Sequence, residues 1–398
     1  MKKIFLFIGI IAIIGIIFLV RNQRPLITSI PNLPAPGETV NLATANPYIQ
    51  TKEPKEVAFK FEEYTRGLNT PWAMVFTDQT RVVVTERSGK LRSIENKVLT
   101  PEPLLTFDEV TAQSEDGLMG LAIDPDYTSN KYLYVCLGYK ADDQLYLKIE
   151  RLKDNGKSVS RDKVLIEKIP AAPLHVGCRM RFGPDKKLYA TVGDAGKKEQ
   201  AQNKDIFAGK ILRINNDGTF PTDNPFPGSP VYSLGHRNPQ GLDWYPQSNV
   251  LYSTEHGPSG NDGPPGGDEV NVIEAGANYG WPVVSHEKTK DGMVSPKILF
   301  TPAFAPASGM FYSGRVFPQF YGNFFFGGLR GEGIMRVVVE QSNPSKVLSY
   351  GLLPGVEFGR IRDVQQGPDG YIYFTTSNRD GRGSPRDGDD KIYRIVRK

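Results

Sequence analysis

Cysteine is nearly absent from this chain: two residues, Cys136 and Cys178, in 398. There is no CxxC pair and no zinc-ligand spacing, which excludes thiolate metal sites and dithiol redox motifs. Both cysteines lie in apolar, strand-like runs and read as buried free thiols. A disulfide is the alternative that an oxidising compartment would permit. Charge of one sign is also scarce. The net charge is +4 with no basic block beyond the N-terminus, which excludes a nucleic-acid partner. No amphipathic helical pattern runs longer than a couple of turns.

Long hydrophobic runs are missing except for one. Lys2 and Lys3 precede an apolar stretch from Ile4 to Val20, followed by Arg21 and Arg24. Its length is at the lower edge of a membrane span and above a usual signal core. No small-x-small site follows closely, so residues 1–24 read as an uncleaved signal anchor, with a cleaved signal as the runner-up. The body is then extracytoplasmic and tethered to the membrane. Residues 25–56 carry Pro25, Pro31, Pro34, Pro36, Pro47 and Pro54 without periodicity. They read as a stiff linker.

Glycine (41) and proline (31), by contrast, are plentiful, as in proteins of many short strands. From Val57 a unit recurs six times: a turn, an apolar aromatic strand, then a second strand of alternating basic and apolar residues. The first strands are "RVVVTER" (81–87), "KYLYVCLGY" (131–139), "KLYATVGD" (187–194), "VLYSTEHG" (250–257), "NFFFGGLRG" (323–331) and "YIYFTTSN" (371–378). Turns such as Gly183-Pro184-Asp185 and Gly367-Pro368-Asp369 introduce them, with proline pre-setting φ and aspartate bonding its own backbone. Six such units predict an all-β, six-bladed β-propeller over residues 57–398. A pair of β-sandwiches would not explain a sixfold repeat. "VAFKFEEY" (57–64) is expected to pair into the last blade, and the six quoted strands to line the axis.

Chemistry gathers at the ends of those strands, where a propeller offers a concave mouth. His175 precedes one strand, although a histidine there also serves as a turn cap. Arg237 and Asn238 lie in "GHRNPQG", and "EHGPSGNDGPPGGDE" exposes main-chain carbonyls of the kind a hard cation takes. Arg330, Arg360 and Arg362 fall at matching points of the last two units. Arg360 and Arg362 share a strand face and repel unless an anion lies between them. Four guanidinium forks predict a planar polyanionic ligand, and a histidine beside them is a candidate general base.

These motifs resemble the soluble PQQ-dependent sugar dehydrogenases, in particular their aldose sugar dehydrogenase branch. The likeness runs from about Val57 to Lys398. It is carried by "LNTPWAM" (68–74), "VTERSGKLR" (84–92), "DGLMGLAIDPDY" (116–127), "GHRNPQGL" (235–242), "GANYGWP" (276–282) and "GRIRDVQQGPDG" (359–370). The resemblance implies pyrroloquinoline quinone (PQQ) and Ca2+ as cofactors. It makes His175 the base, Arg237 and Asn238 contacts to the quinone, and Arg330, Arg360 and Arg362 contacts to the rest of the cofactor. The main-chain carbonyls of Gly257 and Pro258 become the metal ligands. The implied reaction is oxidation of an aldose at the anomeric carbon to a lactone, with reoxidation by an electron acceptor that the chain does not name. Two positions depart from the glucose-specific enzymes. Leu174 stands where an aspartate precedes the base, and Glu115 stands where they have glutamine. Glu115 is therefore expected to orient the base. The aromatic substrate contact of those enzymes is missing near "FTPAFAP" (300–306), which implies an open pocket. A second calcium near Asp268, Glu269 and Tyr279 competes with ordinary loop structure, and His236, His256 and His286 read as loop residues. The alternatives are a non-catalytic, membrane-anchored recognition propeller and a calcium-dependent lactonase.

Overall fold

The computed structural model describes residues 57–398. The expected anchor (1–24) and linker (25–56) lie outside the described residues. Among the described residues no helix is long and apolar enough to cross a membrane.

Short β-branched and aromatic runs between Gly/Pro turns form six antiparallel sheets, each built from strands consecutive in sequence. The exception is the last sheet. Its outer strand is Phe59–Arg66, which pairs with Lys391–Arg397 in the register Phe61↔Ile395. The first strand of the domain thus closes the ring against the last, as the position of "VAFKFEEY" predicts. Closure is apolar as well as hydrogen-bonded: the Phe61 ring meets Phe358 edge-on at 5.1 Å and Phe374 at 6.1 Å.

The six strands expected to line the axis are the second strands of their blades. The innermost ones precede them: Pro71–Phe76, Leu118–Ile123, Gly177–Phe182, Pro239–Trp244, Pro306–Phe311 and Ile361–Gln366. Each touches the next, and the sixth returns to the first. They escape a sequence reading because crowding at the axis selects small and polar residues rather than β-formers. A Cβ on Gly120 would come within 2.1 Å of the Cys178 carbonyl, and one on Gly241 within 2.8 Å of the Ala307 carbonyl. The Gly-Pro-Asp turns are as expected. Asp185 and Asp369 each accept a hydrogen bond from a tyrosine of the following strand, Tyr189 and Tyr373.

All six innermost strands share one irregularity. Near its start each carries a register shift against the second strand, at Pro71/Ala73, Leu118/Leu121, Gly177/Met180, Pro239/Gly241, Pro306/Gly309 and Ile361/Asp363. A bulge opposes two residues to one and re-aims a side chain. Here it turns Trp72, Gln240 and Arg362 toward one end of the axis.

Cys136 and Cys178 are joined in a disulfide, which corrects the free-thiol reading. Cys136 is on the second strand of one blade and Cys178 on the innermost strand of the next. A separation of 42 residues and the absence of any motif left no sequence signal for the pairing. Blade stacking creates the contact.

Phe61→Ala removes the ring that seals the closing strand. It should cost roughly 2–4 kcal/mol, read as a lower urea midpoint.

Candidate functional site

The bulged ends of the innermost strands surround a cavity of about 300 Å³ at one end of the axis. His175, Arg237, Asn238, Gly257, Pro258, Glu115, Arg330, Arg360 and Arg362 all line it. Elements far apart in sequence are therefore brought to one place. Trp72, Arg87, Gln240, His256, Asp380 and Arg382 line it too, and they were not anticipated.

The histidine is held firmly. His175 Nδ1 lies 2.8 Å from Asp194 Oδ1. The carboxylate can only accept, so Nδ1 carries the proton and Nε2 is left as the basic nitrogen. Asp194 is fixed in turn by the Trp281 indole N–H at 2.8 Å and the Gly196 amide at 2.8 Å. Glu115 was expected in this orienting role, and the geometry corrects that. Its Oε2 accepts the His175 backbone N–H at 3.0 Å, and its Oε1 accepts from Arg382 at 2.9 Å. Glu115 holds the main chain and Asp194 holds the ring. The signal was present in the sequence, since Asp194 ends "KLYATVGD". What sequence could not supply was its distance from His175.

The backbone around His175 is unusual. His175, Gly177 and Cys178 have φ of 55°, 65° and 74°. A non-glycine residue in this left-handed region costs roughly 1–2 kcal/mol, so the surroundings must enforce it.

Not all the arginines are free. Arg237 bonds Asp262 at 2.7 Å and Ser259 at 3.1 Å, and stands 5.5 Å from the Trp281 ring centre. Asp262, although partly buried, is held below its ordinary pKa by Arg237 and the Ser259 amide. Arg360 pairs with Asp380 at 2.8 Å. Asn238 bridges the Gly177 amide (3.1 Å) and Gln240 (2.9 Å). Of the arginines that line the cavity, three lack a carboxylate. Arg330 is exposed with no side-chain partner, and Arg87 reaches only the Asp380 carbonyl. Arg362 hydrogen-bonds Gln240 Oε1 at 3.2 Å and stands 5.7 Å from the Trp72 ring centre, and its buried Nε has no hydrogen-bond partner. Burial, reinforced by Arg360 and Arg179 and opposed by Asp380, pushes Arg362 down to about 9.

His256 is pushed down to about 3, mainly by burial and further by Arg362 and Arg237. It is neutral at working pH, and its Nε2–H donates to the Pro306 carbonyl at 3.0 Å. Burial opposes ionisation of Glu115, yet its pKa is lowered. With His256 neutral, Arg382 and the His175 amide supply that effect.

Three unpaired guanidiniums with an orphaned Nε suit a ligand bearing several carboxylates. For a cation, no cluster of three or more His, Cys, Asp or Glu is set to hold one among the described residues. Main-chain oxygen is available instead. Gly257 packs so closely on Gly266 and Gly267 that a Cβ would come within 2.3 Å of both carbonyls. Asp268 fixes the Gly257 amide at 2.7 Å. The Pro258 carbonyl accepts the Gly266 amide at 3.1 Å and keeps its second lone pair. This donor set fits a hard, oxygen-seeking ion. Asp268, Glu269 and Tyr279, considered for a second cation, all have internal partners. His236 lies between Ser233 and Glu255, at 2.8 Å from each, and is wholly buried. It buttresses the Arg237 amide, which donates to the same Glu255.

The fold and site define a class: a six-bladed propeller whose mouth holds a carboxylate-bound histidine beside unpaired guanidiniums, groups of a kind able to move a proton and to hold an anion. The chain belongs to the glucose/sorbosone dehydrogenase family, whose sequence profile matches residues 68–394. It is 32% identical over 346 residues to aldose sugar dehydrogenase YliI of Escherichia coli, covering 80% of this chain and 91% of that protein. It is 34% identical over 259 residues to quinoprotein glucose dehydrogenase B of Acinetobacter calcoaceticus, covering 57% and 53% of the two chains. The PQQ-bound aldose sugar dehydrogenase of Streptomyces coelicolor superposes with a TM-score of 0.75 at 31% identity, covering 86% of this chain and 99% of that one.

A base whose pKa is depressed in the fold carries a charge penalty at every pH below the depressed value, here about 9. Arg362→Gln removes that penalty. At pH 7 the ligand-free protein should gain about 1–3 kcal/mol in urea unfolding, and a planar aromatic tricarboxylate should stabilise the variant less than the wild type.

Proposed function

We propose that the protein is a PQQ- and calcium-dependent aldose dehydrogenase that oxidises the anomeric carbon to a lactone and works outside the cytoplasm. The observation that carries this reading is the His175–Asp194 pair opening onto the same cavity as three unpaired guanidiniums. Family membership supports sugar oxidation, and the disulfide supports an oxidising compartment. The N-terminal apolar run supports tethering to the cytoplasmic membrane, and the electron acceptor is a separate partner.

Bound in this cavity, the quinone would supply the acceptor for a hydride and calcium would polarise its carbonyl. Arg330, Arg362 and Arg87 are the chain's cations available to the cofactor's carboxylates, since Arg360 is already neutralised by Asp380. Gly257 and Pro258 offer carbonyls to the metal. Arg237, paired with Asp262 and held by Ser259, would offer the bound quinone fixed guanidinium N–H donors rather than net charge. Asn238 and Gln240 set the floor. His175 Nε2 takes the proton of the anomeric hydroxyl as the C–H bond breaks, and the imidazolium so formed is stabilised by Asp194 at Nδ1. Trp281 keeps Asp194 from turning away.

Purified protein stripped of divalent metal, then given PQQ, calcium and a panel of aldoses, should reduce an artificial dye saturably and only with calcium present. His175→Ala should lower turnover about 10²–10⁴-fold. Asp194→Asn should lower it strongly with PQQ affinity unchanged, and Glu115→Gln far less. Failure of PQQ to bind would overturn the reading. Binding without aldose turnover would overturn the substrate assignment.

A further inference from the structure

We propose that the Cys136–Cys178 disulfide positions the catalytic base, by clamping the left-handed segment His175–Cys178 to the neighbouring blade. This rests on the reading of His175 as the base. The strand ladder does not hold this segment at Cys178; its backbone support lies to the N-terminal side, where the His175 carbonyl accepts the Ala195 amide at 3.3 Å and the Gly177 amide donates to Asn238 at 3.1 Å. Gly177 pairs with Val192 and Met180 with Ala190, so Cys178 and Arg179 together oppose Thr191 and Cys178 falls in the bulge. The ladder is interrupted at the point where φ is positive at His175, Gly177 and Cys178. Side chains cannot fill in as props. The His175 carbonyl lies where a Cβ on Gly193 would be, at 1.8 Å, and the Cys178 carbonyl lies 2.1 Å from one on Gly120. The segment therefore runs through a slot between two glycines.

Cys136 is the reverse. It sits mid-strand in Tyr132–Ala141, in unbroken register with Ile149, and is buried. The disulfide thus ties the bulged part of the innermost strand to an unbroken strand of the preceding blade. That blade also supplies Glu115, which accepts the His175 amide at 3.0 Å. Three links cross the same blade junction around the base: the disulfide, the His175 amide on the Glu115 carboxylate, and the Glu115 amide on the Pro173 carbonyl at 2.9 Å. The ring can then keep its 2.8 Å bond to Asp194. Cys136 and Cys178 touch neither the cavity nor its ligand, and act only through the His175 backbone.

The test is Cys136→Ser/Cys178→Ser in the full-length protein, with two readouts. In ligand-free protein labelled with ¹⁵N-histidine, the four histidines give separable ring signals, and His175→Ala assigns the one of interest. The double variant should shift the His175 ring signals and change their titration while leaving those of His236 in place. In the loaded enzyme kcat should fall at least about tenfold, with KM and PQQ affinity within about twofold. An unchanged His175 signal with kcat within about twofold of wild type would overturn the proposal and leave the disulfide a simple staple. If wild-type protein shows no turnover at all, the functional reading falls, and the histidine signals alone decide whether the clamp positions the ring. Should the double serine variant not fold, Cys136→Val/Cys178→Ala, which refills the lost volume, is read in the same two ways.

Discussion

The propeller turns on one buried cation. Arg179 projects from the third innermost strand into the axis, where its guanidinium meets Asp363 at 3.3 Å, the Gln240 carbonyl at 3.0 Å and the Trp72 carbonyl at 3.3 Å. It also stacks 4.0 Å from the Trp72 ring centre. Asp363 accepts the Met74 amide at 2.8 Å in addition. Four blades are thereby joined through one side chain. Burial pushes Arg179 down to about 10, with Asp363 resisting and Arg181 adding to the fall, so it stays charged at neutral pH. Removing either partner would strand a buried charge, an outcome far costlier than the pair itself. That asymmetry makes the geometry of the axis strict.

The site inherits that strictness. Trp72, Gln240 and Arg362 reach the cavity because each sits at a bulge of its innermost strand, and those strands are registered by the axial network directly beneath. Gln240 shows the coupling: its carbonyl serves Arg179 below while its side chain serves Arg362 above. Rigidity of this kind lets the fold hold His175 and Cys178 in a backbone conformation that an isolated loop would abandon.

Charge in the cavity is sorted rather than merely accumulated. Arg237, Arg360 and Arg382 each have a carboxylate, Asp262, Asp380 and Glu115. They serve as fixed dipoles at little net charge. Arg87, Arg330 and Arg362 have none. The unpaired set is what a polyanionic ligand would neutralise, and Arg362 bears the largest desolvation cost while it waits. A site that spends folding stability on an unpaired cation recovers it only on binding. The arrangement thus links occupancy to stability as well as to chemistry.

Much of this could be read from the residues in order. Six aromatic strands behind Pro/Gly turns imply six blades. The placement of His175, Arg237, Asn238 and the later arginines at strand ends implies a shared mouth. Local pattern sufficed there, because strand period and turn chemistry act over a few residues. It failed where the cause was non-local. The innermost strands are hidden by glycines that only the crowding of neighbouring blades explains. Asp194 lies 19 residues from His175, yet the imidazole's partner could not be told from Glu115 until both were placed. Cys136 and Cys178 looked like two separate apolar thiols because their bond depends on blade stacking. Sequence alone determined the repeat, the turns and the inventory of charged groups. Only the tertiary structure decided which charges are paired and which are left for a ligand, because pairing depends on distances across blades that no local pattern encodes.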